Sequence, residues 1–212
     1  MKSQNLFTPL HRTILGALAI ALLATPATSV NAQVVFDDAV DGNASSNGAT
    51  PTEVDFLLGS NIINGTVTSP GNTRNFYTFS IDAGQELSAI NLNAITVTAD
   101  GAPSNDPGFF ALIDGITGTD PATGFANLGG NLYDPSDLGT DLLAGIAGGG
   151  NSGNGFSSIG AGDYTFVIQQ TGTEVSSFSL DFQVSTVAVP EPTSAILLAG
   201  MSIAGLARRR RR

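Results

Sequence analysis

Read for the alternation of apolar and polar side chains, the middle of the chain resolves into short strands separated by turn residues. From 177 to 184, Phe178, Leu180, Phe182 and Val184 alternate with Ser177, Ser179, Asp181 and Gln183, the period-two pattern of a strand with one buried and one wet face. Residues 75–81 place Tyr77, Phe79 and Ile81 on one face; residues 163–169 place Tyr164, Phe166 and Ile168 on one face and Val167 on the other. Segments 62–68, 87–99 and 108–113 carry the β-branched and aromatic residues that favour strands. Within 87–99 the apolar parity switches between Ala94 and Ile95, which predicts a β-bulge or a break into two strands. Between Gly115 and Gly162 the chain is rich in Gly, Asp and Asn, with brief apolar runs only at 131–133 and 142–146. The pattern predicts an all-β antiparallel β-sandwich, jelly-roll-like, of about seven to nine strands over residues 54–188, with helices hard to place. The stretch 33–53, polar and without periodicity from Asp37 onward, reads as a flexible N-terminal arm.

Both ends of the chain break this pattern. At the N-terminus, Lys2 and Arg12 precede an apolar run from Ile14 to Ala24, and Val30-Asn31-Ala32 offers small residues at the recognition positions of a signal peptidase. Residues 1–32 therefore read as a signal helix with cleavage after Ala32, cleavage after Ala27 being the alternative. At the C-terminus, Pro190-Glu191-Pro192 precedes fifteen uncharged residues, 193–207, and then Arg208, Arg209, Arg210, Arg211 and Arg212. As a helix those fifteen residues span about 22 Å, short against a hydrocarbon core of about 30 Å. Local thinning of the bilayer and snorkelling arginines let such a short transmembrane helix insert. The arginines act as a cytoplasmic stop, leaving the preceding domain outside. The two prolines keep Glu191 extended, an accessible backbone for a cutting enzyme.

This three-part tail over 189–212, a Pro-Glu-Pro triplet, an apolar segment and a terminal arginine cluster, resembles the sorting signal of bacterial PEP-CTERM proteins. The resemblance implies an exosortase substrate: an exported chain, transiently inserted in the membrane and processed there by an exosortase-type enzyme. It also implies association with exopolysaccharide and biofilm. The arginines do not then form a nucleic-acid patch.

Charge sharpens the reading. Of eight basic residues only Arg74 falls between 33 and 189, against seventeen of the eighteen acids, so this segment has a formal charge of −16. Such a surface repels nucleic acid and anionic membranes and attracts cations and basic partners. The chain has no cysteine, and its single histidine, His11, leaves with the leader. Serine triads, Cys–His pairs and histidine or thiolate zinc sites are thereby excluded. Paired carboxylates remain chemically possible, but none stands in a recognisable motif, and no enzymatic activity is expected. Asp134, Asp137 and Asp141 place three carboxylates on one short loop, a ligand type that suits calcium; Asp-Pro is also a turn signal in its own right. No cofactor is required, and calcium is the one ion the pattern suggests. The glycine run 148–155 occurs once and lacks the Asp of a calcium repeat and the Lys of a phosphate loop, so it reads as a sandwich loop.

A second resemblance covers most of the domain. Gly65-Thr-Val, the aromatic strand Asn75-Phe-Tyr-Thr-Phe-Ser-Ile and the turn Ala83-Gly-Gln, then Leu132-Tyr-Asp-Pro-Ser, Ile159-Gly-Ala-Gly-Asp-Tyr-Thr-Phe and Phe178-Ser-Leu-Asp-Phe, are similar in order to bacterial pre-peptidase C-terminal domains. Arg74-Asn75 departs from the acidic residue common there, and residues between Ala99 and Gly130 are extra. Together these features predict an exported cell-surface or extracellular-matrix protein with a structural or adhesive role. A polysaccharide- or calcium-binding module is the alternative.

Overall fold

Ten strands build two five-stranded sheets in the computed structural model, which describes residues 32–117, 128–146, 156–170 and 172–187. In chain order they are β1 (Gln33–Asp37), β2 (Thr52–Glu53), β3 (Gly59–Thr68), β4 (Arg74–Ile81), β5 (Gln85–Ala99), β6 (Ala102–Pro103), β7 (Gly108–Asp114), β8 (Gly129–Tyr133), β9 (Gly162–Gln170) and β10 (Val175–Thr186). Two four-residue helices, α1 (Asp38–Asp41) and α2 (Leu142–Gly145), and a 3-10 turn over Pro135–Asp137 complete the described elements. One sheet runs β1-β3-β10-β5-β6 and the other β2-β4-β9-β7-β8. The antiparallel pairs nest: β3 with β10, β4 with β9, and innermost β7 with β8. Asp141 and Ile159, from the segment between β8 and β9, make isolated bridges to β5. Nested pairing shared between two sheets is the winding of a jelly roll.

The core lies between the sheets, where the inward faces of the aromatic strands meet. Phe182 is the hub, 5.0 Å from Phe56, 5.3 Å from Phe166 and 5.7 Å from Phe79 between ring centroids. Burying rings of this size dominates the stabilisation, and edge-on contacts add to it. Gly65 is required in β3 because a Cβ there would come within 2.7 Å of the Phe178 ring. The second sheet is apolar on its outer face as well, where Phe76, Ala111, Ile113 and Val167 form a separate buried cluster.

The parity switch in β5 is a bulge, not a break. Leu180 faces Leu92 and Ser179 faces Ala94, so Asn93 is the extra residue. A second shift leaves Ser88 unpaired between Ala89 opposite Gln183 and Leu87 opposite Val184. These two insertions put Ile95, Leu92, Ile90 and Leu87 across from Phe178, Leu180, Phe182 and Val184.

Four expectations are corrected. Residues 33–53 are not a flexible arm: β1 pairs with β3, β2 pairs with β4, and Phe36 and Ala44 are buried in the core. The sandwich is not wholly antiparallel, because both of these edge pairings are parallel. The strands number ten, two of them only two residues long, and residues 142–146 hold helix α2 with Leu142, Leu143 and Ile146 buried. The outer face of β10 is not uniformly wet either: Asp181 is buried and accepts from Ser60 Oγ at 2.7 Å and Gln183 Nε2 at 2.6 Å. Among the described residues no helix is long and apolar enough to cross a membrane. The signal helix and the C-terminal transmembrane helix fall outside the described residues.

Candidate functional site

The strand registers bring the two ends of the sandwich to one pole. β1 enters with Gln33 opposite Asn61, and Asn61 lies opposite Phe182 near the end of β10. Asn61 is fully buried and holds this corner. Its Oδ1 accepts from Leu57 N at 2.8 Å and Gln33 Nε2 at 3.1 Å, while its Nδ2 donates to the carbonyls of Leu57 and Phe182. The chain leaves through Thr186, and Val187 N donates to Gly84 O at 2.9 Å. Ala32, the residue expected before the leader cut, is exposed and directly precedes β1. Pro190, Glu191, Pro192 and the arginines from Arg208 to Arg212 lie outside the described residues. The Pro-Glu-Pro triplet therefore begins three residues beyond Val187, the last residue among those described to make a backbone hydrogen bond.

The same pole carries a cavity of about 640 Å³. Val54, Phe56 and Phe79 give it an apolar floor, the exposed Leu57 and Ile116 stand at its rim, and Glu53, Asp55 and Asp82 supply carboxylates. Phe56 stacks on Phe79 with centroids 4.5 Å apart, joining the floor to the core. A site of this chemistry suits a ligand with a cationic or hydroxylated head and an apolar body.

The three aspartates suggested for calcium are occupied with the backbone. Asp134 Oδ1 accepts from Ser136 N at 2.6 Å, and Asp137 Oδ2 accepts from Asp134 N at 2.9 Å, a reciprocal capping box for the 3-10 turn. The Ser136 side chain and amide hold the Asp134 carboxyl below its usual range. Asp141 Oδ1 accepts from Ile90 N and Leu143 N, both at 2.9 Å, capping α2 and tying it to β5. These residues line the flank beside β5, where Gly139 N donates to Leu92 O and Leu92 N to Thr140 O. Among the described residues no three acidic side chains converge on a metal position.

Asn61 was not singled out from sequence. The signal it carries there is an amide inside the apolar run of β3, a position that demands partners once buried.

Because the domain ends at one pole, the segment after Val187 decides how it is used. Residues 188–212 match the PEP-CTERM protein-sorting motif. The motif is a recognition signal for exosortase processing of exported proteins, so the tail is an address and the sandwich is its cargo. No curated protein matches the chain. Among solved structures it is similar to Salmonella Typhimurium PliG, a periplasmic lysozyme inhibitor of g-type lysozyme, at 12% identity and a TM-score of 0.29, covering 64% of this chain and 100% of that one. A likeness of that size carries no argument about function.

Proposed function

We propose that the protein is a structural or adhesive component of the cell surface or extracellular matrix, delivered by its PEP-CTERM tail and associated with exopolysaccharide. The carrying observation is the abutment of the sorting motif on the last strand: the match begins at residue 188 and β10 ends at Thr186. Signal peptidase would release the chain after Ala32, and the exosortase-type enzyme would act at Pro190-Glu191-Pro192 while the apolar segment sits in the membrane. The mature domain would then be joined to its anchor, or freed, at the pole where both ends meet. The far loops, 69–73, 100–107 and 172–174, would face outward. A non-enzymatic role fits a mature segment without histidine or cysteine. The resemblance to pre-peptidase C-terminal domains belongs to the same proposal, supported by the nested jelly-roll pairing.

The test is fractionation of cells that express the wild type and a variant with Pro190, Glu191 and Pro192 replaced by alanine. Surface or matrix delivery of the wild type, with the variant held unprocessed in the membrane, supports the proposal; equal processing of both contradicts it.

A second reading, a polysaccharide- or calcium-binding module, is favoured by the acid-rimmed cavity and the −16 charge. Binding of isolated exopolysaccharide that EDTA abolishes and added calcium restores would establish the calcium form. Binding insensitive to EDTA and weakened by Asp55→Asn would place the ligand in the cavity. Absence of binding under all these conditions excludes the module.

A further inference from the structure

Between β9 and β10 the interior holds a polar cluster that neither the core nor the sorting tail explains. Gln170 ends β9 at 2% exposure, Ser176 is the second residue of β10 at 0%, and Gln170 Nε2 donates to Ser176 Oγ at 2.8 Å. Two more buried polar atoms have no hydrogen-bond partner: the hydroxyl of Tyr133, a residue 1% exposed, and Oε2 of Glu174, a residue 4% exposed. Burial pushes the Tyr133 phenol above its ordinary value, and the Ser176 hydroxyl is near enough to temper that shift without meeting hydrogen-bond geometry. The Glu174 carboxylate lies over Gly172, where a Cβ would collide with it, and Gly172 N faces Gln170 Oε1 at 3.5 Å. A hydroxyl nucleophile, a carboxamide, a backbone N–H at the carboxamide oxygen and a carboxylate with one unpartnered oxygen thus come together where β9 passes to β10, with Gln170, Glu174 and Ser176 all buried.

We propose that this is a self-modification site, at which Ser176 and Gln170 form an intramolecular ester. Ser176 Oγ attacks Cδ of Gln170, and its proton passes to the Glu174 carboxylate. Gly172 N–H faces the oxygen on which negative charge develops. Glu174 returns the proton to the departing nitrogen; the C–O bond forms, the C–N bond breaks and ammonia leaves, with no oxidant or reductant involved. Because Cδ is one C–N bond, about 1.33 Å, from Nε2, Ser176 Oγ lies at most about 4.1 Å from the carbon it attacks. Burial excludes the water that would hydrolyse the product.

The placement gives the bond a purpose. β9 is the middle strand of one sheet and β10 the middle strand of the other, so the ester closes the connection between them where β9 ends at Gln170 and β10 begins at Val175. The chain has no cysteine, and its single lysine, Lys2, lies in the leader, so neither a disulfide nor a lysine amide is open to the mature domain. The proposal does not depend on the function of the tail.

Peptide mapping of the exported, folded protein decides it. The peptide spanning residues 170 and 176 is expected to be lighter by one ammonia, to give no backbone fragments between those residues, and to yield glutamate at 170 after mild base. The peptide, not the intact mass, is the readout, because an N-terminal Gln33 also loses ammonia on cyclising. Ser176→Ala restores the full peptide mass, and Glu174→Gln slows formation by about 100-fold or more, the range of a lost general base. An unmodified peptide from folded wild-type protein, or an ammonia loss that survives Ser176→Ala, overturns the proposal. The wild-type peptide alone is decisive if either variant fails to fold.

Discussion

Asn61 and Asp38 show how single polar side chains place backbone in this fold. Asn61 joins the first residue of β1, the 57–59 turn and β10, a set of contacts between residues as much as 121 positions apart. Asp38 works at a cost. Its Oδ2 accepts from Thr66 N at 2.6 Å, but its Oδ1 is buried without a partner. Desolvation by burial raises its carboxyl above the ordinary value, against the opposing pull of the Thr66 and Ala44 amides and with a further push from Asp37. A raised folded-state value means the native state holds this proton more tightly than the unfolded chain. Ionisation therefore removes stability as pH climbs from the unfolded value through the folded one. Asp38→Asn keeps an acceptor for Thr66 and removes the charge. Urea unfolding is expected to show the variant more stable than wild type at pH 7 and the two converging as pH falls into the carboxylate range. A difference independent of pH would contradict this account of Asp38.

At the scale of elements, legibility tracked local pattern. β4, β9 and β10 each present inward aromatic or aliphatic residues at period two, so their faces were readable from sequence alone. β1 and β2 were not, because each is short, lies at a sheet edge and pairs in parallel with a strand more than twenty residues away. Their information is non-local: Phe36 is the one side chain of β1 that is buried. Helix α2 left a faint trace, an Asp141 cap before Leu142, Leu143 and Ile146, but four residues are too few for a helical period to stand out. The sorting tail was legible because its three parts are contiguous; the Gln170–Ser176 pair was not, because only the crossing between sheets brings it into the core.

The bulge in β5 allows a paired test. Deleting Asn93 removes the extra residue and leaves Leu92 and Ile95 opposite Leu180 and Phe178, so the cost is expected to stay within about 1 kcal/mol. Deleting Asn91 turns Leu92 outward and Asn93 inward, which is expected to cost about 3 kcal/mol or more from lost apolar burial and an unpaired amide. Equal losses in chemical denaturation would contradict the register.

For the whole molecule, geometry and charge act together. Both ends of the sandwich lie at one pole, so the segments before Gln33 and after Val187 attach to the same face, opposite the loops 69–73, 100–107 and 172–174. Residues 33–189 carry seventeen acids against Arg74, and the native state bears this crowding more than the expanded chain does. Raising salt from ~10 mM to ~150 mM shortens the screening length from about 30 Å to about 8 Å, and the Tm of the mature domain is expected to rise across that range. A flat or falling Tm would contradict this account of the net charge.

The central claim is that an acidic β-sandwich is cargo between two processing signals. Intact-mass analysis of the protein recovered from the cell surface and medium tests it most directly. The account predicts a chain beginning at Gln33, with or without cyclisation, and ending near Pro190, without Arg208–Arg212. A surface-located chain that still carries Arg212, or still begins at Met1, would contradict it.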